Sequence, residues 1–193
     1  MIKPLLLDQV ASRELHKCGL LPKLSQSGIV CCSTALAFES PTRFENYKRY
    51  FDSGGNALRE LAFDENSHNV LRFIYTKYGE NERITYYDAA AISMASFGGY
   101  VMIATEPVIF SIATELNIEM WDYSKLLGHL VERNILHPLD ASEYLKQLFY
   151  VNNIAPVCGS DCSEIIIKSS PYDGKQIKRV GSQIQKMPGY KAI

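Results

Sequence analysis

The stretch Ile84–Trp121, ITYYDAAAISMASFGGYVMIATEPVIFSIATELNIEMW, decides how this chain reads. The alanine-rich segment Asp88–Phe97 predicts a buried helix, and Gly98-Gly99 supplies its stop. Tyr100–Ala104 is short, apolar and partly β-branched, the pattern of a buried parallel strand. A second helix follows Pro107, and Ile118–Trp121 reads as a short strand. Asp88 opens the first helix, and Glu106 sits where the strand ends. Acids at such places can converge on the carboxyl edge of an α/β sheet, where ligands bind.

Upstream, Pro4-Leu-Leu-Leu-Asp8 reads as the first strand, with Asp8 at its carboxyl end. Gln9–Cys18 predicts a short helix closed by Gly19 and the Leu20-Leu21-Pro22 run. Gly28-Ile-Val-Cys-Cys32 is the second strand. Ser33 or Thr34 can cap the next helix, which carries Glu39. From Pro41 to Tyr78 the sequence is helical in character, interrupted at Gly54-Gly55. Arg43, Lys48, Arg49, Arg59 and Arg72 offer a basic flank there, although solvated helix faces explain them as well.

Downstream, Asp122 or Ser124 caps a helix that runs to Arg133, with Leu126, Leu127, Leu130 and Val131 as its apolar stripe. Asn134–Pro138 is a turn, and Leu139–Phe149 a last helix. Strands alternating with helices imply βαβ units around a mostly parallel sheet.

Composition narrows the class. Hydrophobic residues make up 47% of the 193 and charged residues 21%, so a soluble globular protein is expected. A formal net charge of -1 gives no global pull toward nucleic acid or membranes. The charge is uneven, however. Residues 151–193 hold six Lys and Arg against three Asp and Glu, and the first 150 hold 14 against 18. A basic extension on an acidic body suits an anionic partner, or is merely solvated. It lacks periodicity and is expected to be partly irregular.

The five cysteines form no disulfide framework, and Cys31-Cys32 are expected as buried apolar residues. Cys158 and Cys162 lack the second pair that a structural zinc site needs. No signal peptide is visible, and no apolar run approaches the roughly 20 residues of a membrane helix. A reducing cytoplasm is the expected setting. His16, His68, His129 and His137 show no metal-ligand spacing.

Four acids therefore stand at comparable places: Asp8, Glu39, Asp88 and Glu106. Clustered carboxylates cannot all ionise without a compensating cation, and Mg²⁺ or Mn²⁺ is the natural resident. Such a site can polarise a phosphodiester and lower the pKa of a bound water.

The order and surroundings of these residues resemble the PIN domain, a small α/β nuclease fold. Leu-Leu-Leu-Asp8 is similar to its first acidic motif. Ile29-Val-Cys-Cys-Ser-Thr-Ala-Leu-Ala-Phe-Glu39 is similar to its second strand and glutamate-bearing helix. Tyr86-Tyr-Asp88-Ala-Ala-Ala resembles its Asp-led helix, and Val101-Met-Ile-Ala-Thr-Glu106 the strand that ordinarily ends Thr-Asp. The resemblance spans about residues 3–150, leaving 151–193 as a basic C-terminal extension. It implies a three-layer sandwich with a mostly parallel central sheet. It also implies a Mg²⁺- or Mn²⁺-dependent endoribonuclease, the toxin of a toxin–antitoxin pair. Asp8, Glu39, Asp88 and Glu106 would be catalytic, with Asp8, Asp88 and Glu106 on the metal. RNA would be the substrate, an antitoxin or other protein the partner, and a homodimer the assembly.

The sequence also departs from that pattern. Asp8 is followed by Gln9-Val10 instead of Thr or Ser and a small residue, and Glu106 replaces Asp and precedes Pro107. Glu is one methylene longer, and Mg²⁺ geometry is strict. Two other readings stay open: a catalytically inactive PIN-like module binding nucleic acid or protein, and an unrelated α/β protein whose acids are helix caps.

Overall fold

The computed structural model describes residues 3–33, 58–61, 63–79 and 84–151. Strand β1 is Leu5–Leu7, followed by helices α1 (Gln9–Lys17) and α2 (Leu20–Gln26), and then by strands β2 (Cys31–Ser33) and β3 (Leu58–Glu60). Helix α3 (Glu65–Ile74) runs into a π-helical turn, Tyr75–Gly79. Helix α4 (Tyr86–Ser96), strand β4 (Val101–Ile103), helix α5 (Pro107–Glu115) and strand β5 (Met120–Trp121) come next. Helices α6 (Tyr123–Glu132) and α7 (Pro138–Leu145) complete the set, with a second π-helical turn at Lys146–Val151.

The strands form one sheet in the order β3-β2-β1-β4-β5. β1 pairs in parallel with β2 on one side and β4 on the other, and β2 pairs in parallel with β3. The expected α/β class with a parallel sheet is therefore present. Leu6 lies opposite both Cys32 and Met102, which sets the register of the three central strands. All three residues of β1, β2 and β4 are buried. This is the continuous apolar run that a parallel sheet covered on both faces requires.

Alternation sorts these strands into two faces. Leu6, Cys32 and Met102 join one core with Leu71 and Ile74 of α3, Ala89, Ala90, Ile92 and Ala95 of α4, and Ile109 and Ile112 of α5. Small alanine side chains let α4 lie close to its neighbours. Ser93, fully buried, keeps its hydroxyl satisfied by donating to the Ser67 carbonyl oxygen of α3 at 2.9 Å. Leu15 of α1 and Leu20, Leu21 and Leu24 of α2 are also buried, and those helices contact β1 and β2.

The chain divides into two compact units, residues 1–120 and 121–193. The first holds the sheet up to Met120 and helices α1 to α5. The second holds α6 and α7. In it Asp122 caps α6 by accepting from the Lys125 amide at 2.8 Å, as expected, and Trp121 packs its ring on His129 at 4.6 Å.

Local differences from the sequence reading have local causes. Leu20-Leu21-Pro22 does not close a helix but starts one, because proline is tolerated in a first helical turn. The run Pro41–Tyr78, read as helical, contains β3 at the edge of the sheet. Helix α4 begins two residues earlier than expected, with Thr85 as its N-cap. The last helix starts at Pro138, capped by His137, whose Nδ1 accepts from the Leu139 amide at 3.3 Å. Cys31 and Cys32 are buried, as expected. The basic flank at Arg43, Lys48 and Arg49, Cys158 and Cys162, and the basic extension lie outside the described residues.

Leu6→Ala removes a fully buried side chain from the central strand and should lower the unfolding free energy by about 3 kcal/mol. Phe73→Ala, at a residue 61% exposed, should change it by less than about 0.5 kcal/mol. Urea unfolding followed by circular dichroism measures both.

Candidate functional site

The strand order reverses at β1: β2 and β3 lie to one side of it, β4 and β5 to the other. In open parallel sheets such a switch point leaves a crevice beyond the carboxyl ends of the strands. Asp8 directly follows β1, and Glu106 follows β4 by three residues. The Asp8 amide donates to the Ile103 carbonyl at 3.4 Å, which joins the two strand ends at this crevice.

Asp8 is both a strand terminus and the N-cap of α1. Its backbone is extended, and its Oδ1 accepts from the Ala11 amide at 2.6 Å. The residue is 3% exposed. Ser12, one turn into α1, donates its hydroxyl to the Asp8 carbonyl oxygen at 2.7 Å and lies 3.3 Å from the hydroxyl of Ser33 at the end of β2. Both serines are fully buried.

Asp88 occupies the third position of α4 rather than opening it. It forms a capping box with Thr85: Asp88 Oδ2 accepts from the Thr85 amide at 2.8 Å and from the Thr85 hydroxyl at 2.7 Å, and the Asp88 amide donates back to Thr85 Oγ1 at 3.2 Å. Taking Asp88 as the residue that opens the helix hides this box. The signal was nevertheless present as Thr85-x-x-Asp88, with Asp in place of the usual Glu or Gln.

Glu106 is the N-cap of α5, ahead of Pro107 in the first turn, yet its side chain makes no capping bond. The extra methylene that distinguishes it from Asp carries the carboxylate away from the helix amides.

The structure thus brings Asp8, Asp88 and Glu106 within electrostatic reach of one another. Burial pushes the Asp8 carboxyl up to about 7, and the charges of Asp88 and Glu106 add to the rise. The Glu106 carboxyl is also raised, first by desolvation and then by Asp88. The three acids sit at the starts of α1, α4 and α5, where the positive ends of helix dipoles offset part of this repulsion. Glu39, the fourth acid expected here, lies outside the described residues.

Three carboxylates are an all-oxygen donor set of the kind that hard divalent cations accept. Among the described residues, however, no group of three or more His, Cys, Asp and Glu side chains stands where it could hold a metal ion. The donor chemistry suits a cation, while the three carboxylates are not drawn onto one point. Two chemical capacities follow: relief of the shared charge by a cation, and proton exchange at Asp8 close to neutral pH. Serines 12 and 33 and Thr85 are the polar partners that sequence spacing did not single out.

A protonated Asp8 has a consequence for stability. Its carboxyl is raised to about 7 in the fold from an ordinary value of 3.8. Between these values the folded chain holds a proton that the unfolded chain has released. The contribution of Asp8 to stability is therefore greatest below about pH 4, falls as pH rises to about 7, and is level above; its full span is on the order of 4 kcal/mol. Glu106 contributes with the same sign. Urea midpoints between pH 4 and 8 should fall for the native chain and flatten in Asp8→Asn, which keeps an oxygen for the Ala11 amide. A slope unchanged by that substitution would refute the assignment.

No helix among the described residues is long and apolar enough to cross a membrane. Compared with known proteins, the chain matches no family model, no curated protein and no solved structure.

Proposed function

We propose that the chain is a metal-dependent endoribonuclease of PIN type, built as a three-layer sandwich around its parallel sheet. The observation that carries this reading is the placing of Asp8, buried at the switch-point crevice, within reach of the charges of Asp88 and Glu106. A carboxyl raised to about 7 by burial, with two neighbouring acids adding to the rise, is an arrangement that favours a bound cation.

Asp8, Asp88 and Glu106 would hold Mg²⁺ or Mn²⁺. The ion, when bound, would polarise a phosphodiester and make a water molecule more acidic. The chain's own contributions are positional. The capping bond from Ala11 fixes Asp8, and Thr85 fixes Asp88 through two contacts to one oxygen. This leaves Asp88 Oδ1 outside the capping box. Glu106, without a cap bond, is the carboxylate that can swing furthest. Protonated Asp8 would release its proton as the ion arrives.

One observation favours the alternative, a catalytically inactive PIN-like module that binds nucleic acid or a protein partner: the three carboxylates do not converge on a single point. Metal binding separates the two readings. With the nuclease, Mn²⁺ raises the melting temperature of the full chain, and Asp88→Asn abolishes the rise. Single-stranded RNA is then cut only with the ion present, and Asp8→Asn or Asp88→Asn lowers the rate by at least about a hundredfold. Absence of both the Mn²⁺ shift and cleavage would leave the binding module.

A further inference from the structure

At the end of the π-helical turn, Gly79 makes room for a neighbour's ring. A Cβ at position 79 would lie 2.6 Å from Tyr75 Cδ2 and 2.7 Å from Tyr75 Cε2. The ring of Tyr75 therefore rests on the Gly79 backbone, which sets its orientation. Tyr75 meets Tyr86 of α4 at a ring-centroid distance of 5.4 Å and an interplanar angle of 79°. Both rings remain open, at 41% and 39% exposure. π-helical turns are uncommon and are often found at functional sites.

The surrounding sequence has a matching pattern. From position 72 to 77, Arg72, Phe73, Tyr75 and Lys77 face solvent, while Leu71, Ile74 and Tyr78 are buried. Arg72 and Lys77 thus flank two exposed rings along the chain, and Lys77 is paired with Glu115 Oε1 at 2.6 Å. Tyr86 shares the first turn of α4 with Asp88, within about 5.4 Å of helix axis. Burying one exposed ring is cheaper than leaving it in water; here two are held out, edge to face, on a stretch that also exposes Arg72.

We propose that the Tyr75–Tyr86 corner is a stacking platform for an unpaired base of single-stranded RNA. A base laid on one ring face would meet the edge of the other ring, and Arg72 would accompany the backbone. The platform takes its substrate class from the nuclease reading above, but it needs neither the metal nor the carboxylates to bind. It admits an unpaired base and excludes one inside a duplex.

The test measures binding of a fluorescein-labelled short RNA of mixed sequence to the full chain in EDTA, single-stranded and annealed to its complement. The single strand should bind more tightly than the duplex. Tyr75→Ala and Tyr86→Ala should each weaken single-strand binding about tenfold, without a change in salt dependence, because stacking releases no counterions. Tyr86→Phe should retain binding, and Gly79→Ala should weaken it by displacing the Tyr75 ring. All three positions are at the surface or beside it, so unchanged melting curves confirm folding. Equal binding by the alanine variants, no preference for the single strand, or no RNA binding at all would overturn the platform. A protein bound at this face in place of RNA would show as the first of these outcomes. RNA bound through the corner but never cut with Mn²⁺ would defeat the nuclease and leave the platform standing. Cleavage indifferent to both tyrosines would do the reverse.

Discussion

Parallel pairing of β1 on both of its edges is the constraint from which the rest follows. Leu5, Leu6 and Leu7 are fully buried, and each is paired in register with a residue of β2 and of β4. A strand held in this way has no solvent on either face and no free edge. Its neighbours must run in the same direction, so their carboxyl ends finish together. The next residue after β1 is Asp8, which cannot leave that boundary. Its burial is the consequence of three leucines ahead of it and a helix starting directly behind it.

Much of this frame could be read in the sequence because its signals are local. Apolar tripeptide runs bounded by Asp8, Gly28 and Gly99 marked the strands, and Gly98 closed α4 in the left-handed conformation at φ 77°. Strand β3 was hidden, since Leu58-Arg-Glu60 is no more strand-like than helix-like and is placed by its pairing with β2. Helix α2 was masked by Pro22, a residue whose meaning depends on where the helix begins. At the site, the positions of Asp8, Asp88 and Glu106 were legible from their places after strands and before helices. Their electrostatic coupling was not, because it depends on which strands are neighbours. Order along the chain does not reveal that β4, not β3, lies beside β1. Thr85 was missed for a narrower reason: its partner in the capping box had already been given another role.

The edge holds two opposed tendencies. Helix starts and backbone amides favour negative charge there, whereas burial and proximity among the acids oppose it. Asp8 receives both in full, being a cap and the most buried of the three. A protein with asparagines at Asp8 and Asp88 would keep an oxygen for each cap and lose the repulsion. Retaining acids is therefore costly to the fold, a pattern associated with sites maintained for function at the expense of stability.

Gly79 has a bearing on how variation in this chain would be interpreted. Glycine is commonly explained by its own backbone, as at Gly98 and Gly99, where φ is 77° and 85°. At position 79 the reason lies in another residue, the aromatic ring four positions earlier. Positions 75 and 79 are thus one unit of inheritance. A chain that replaced the tyrosine with a small side chain would be released from glycine at 79, and a chain that kept the ring would not. Covariation between these two positions, instead of constancy at either, is the trace this packing would leave in a set of descendants.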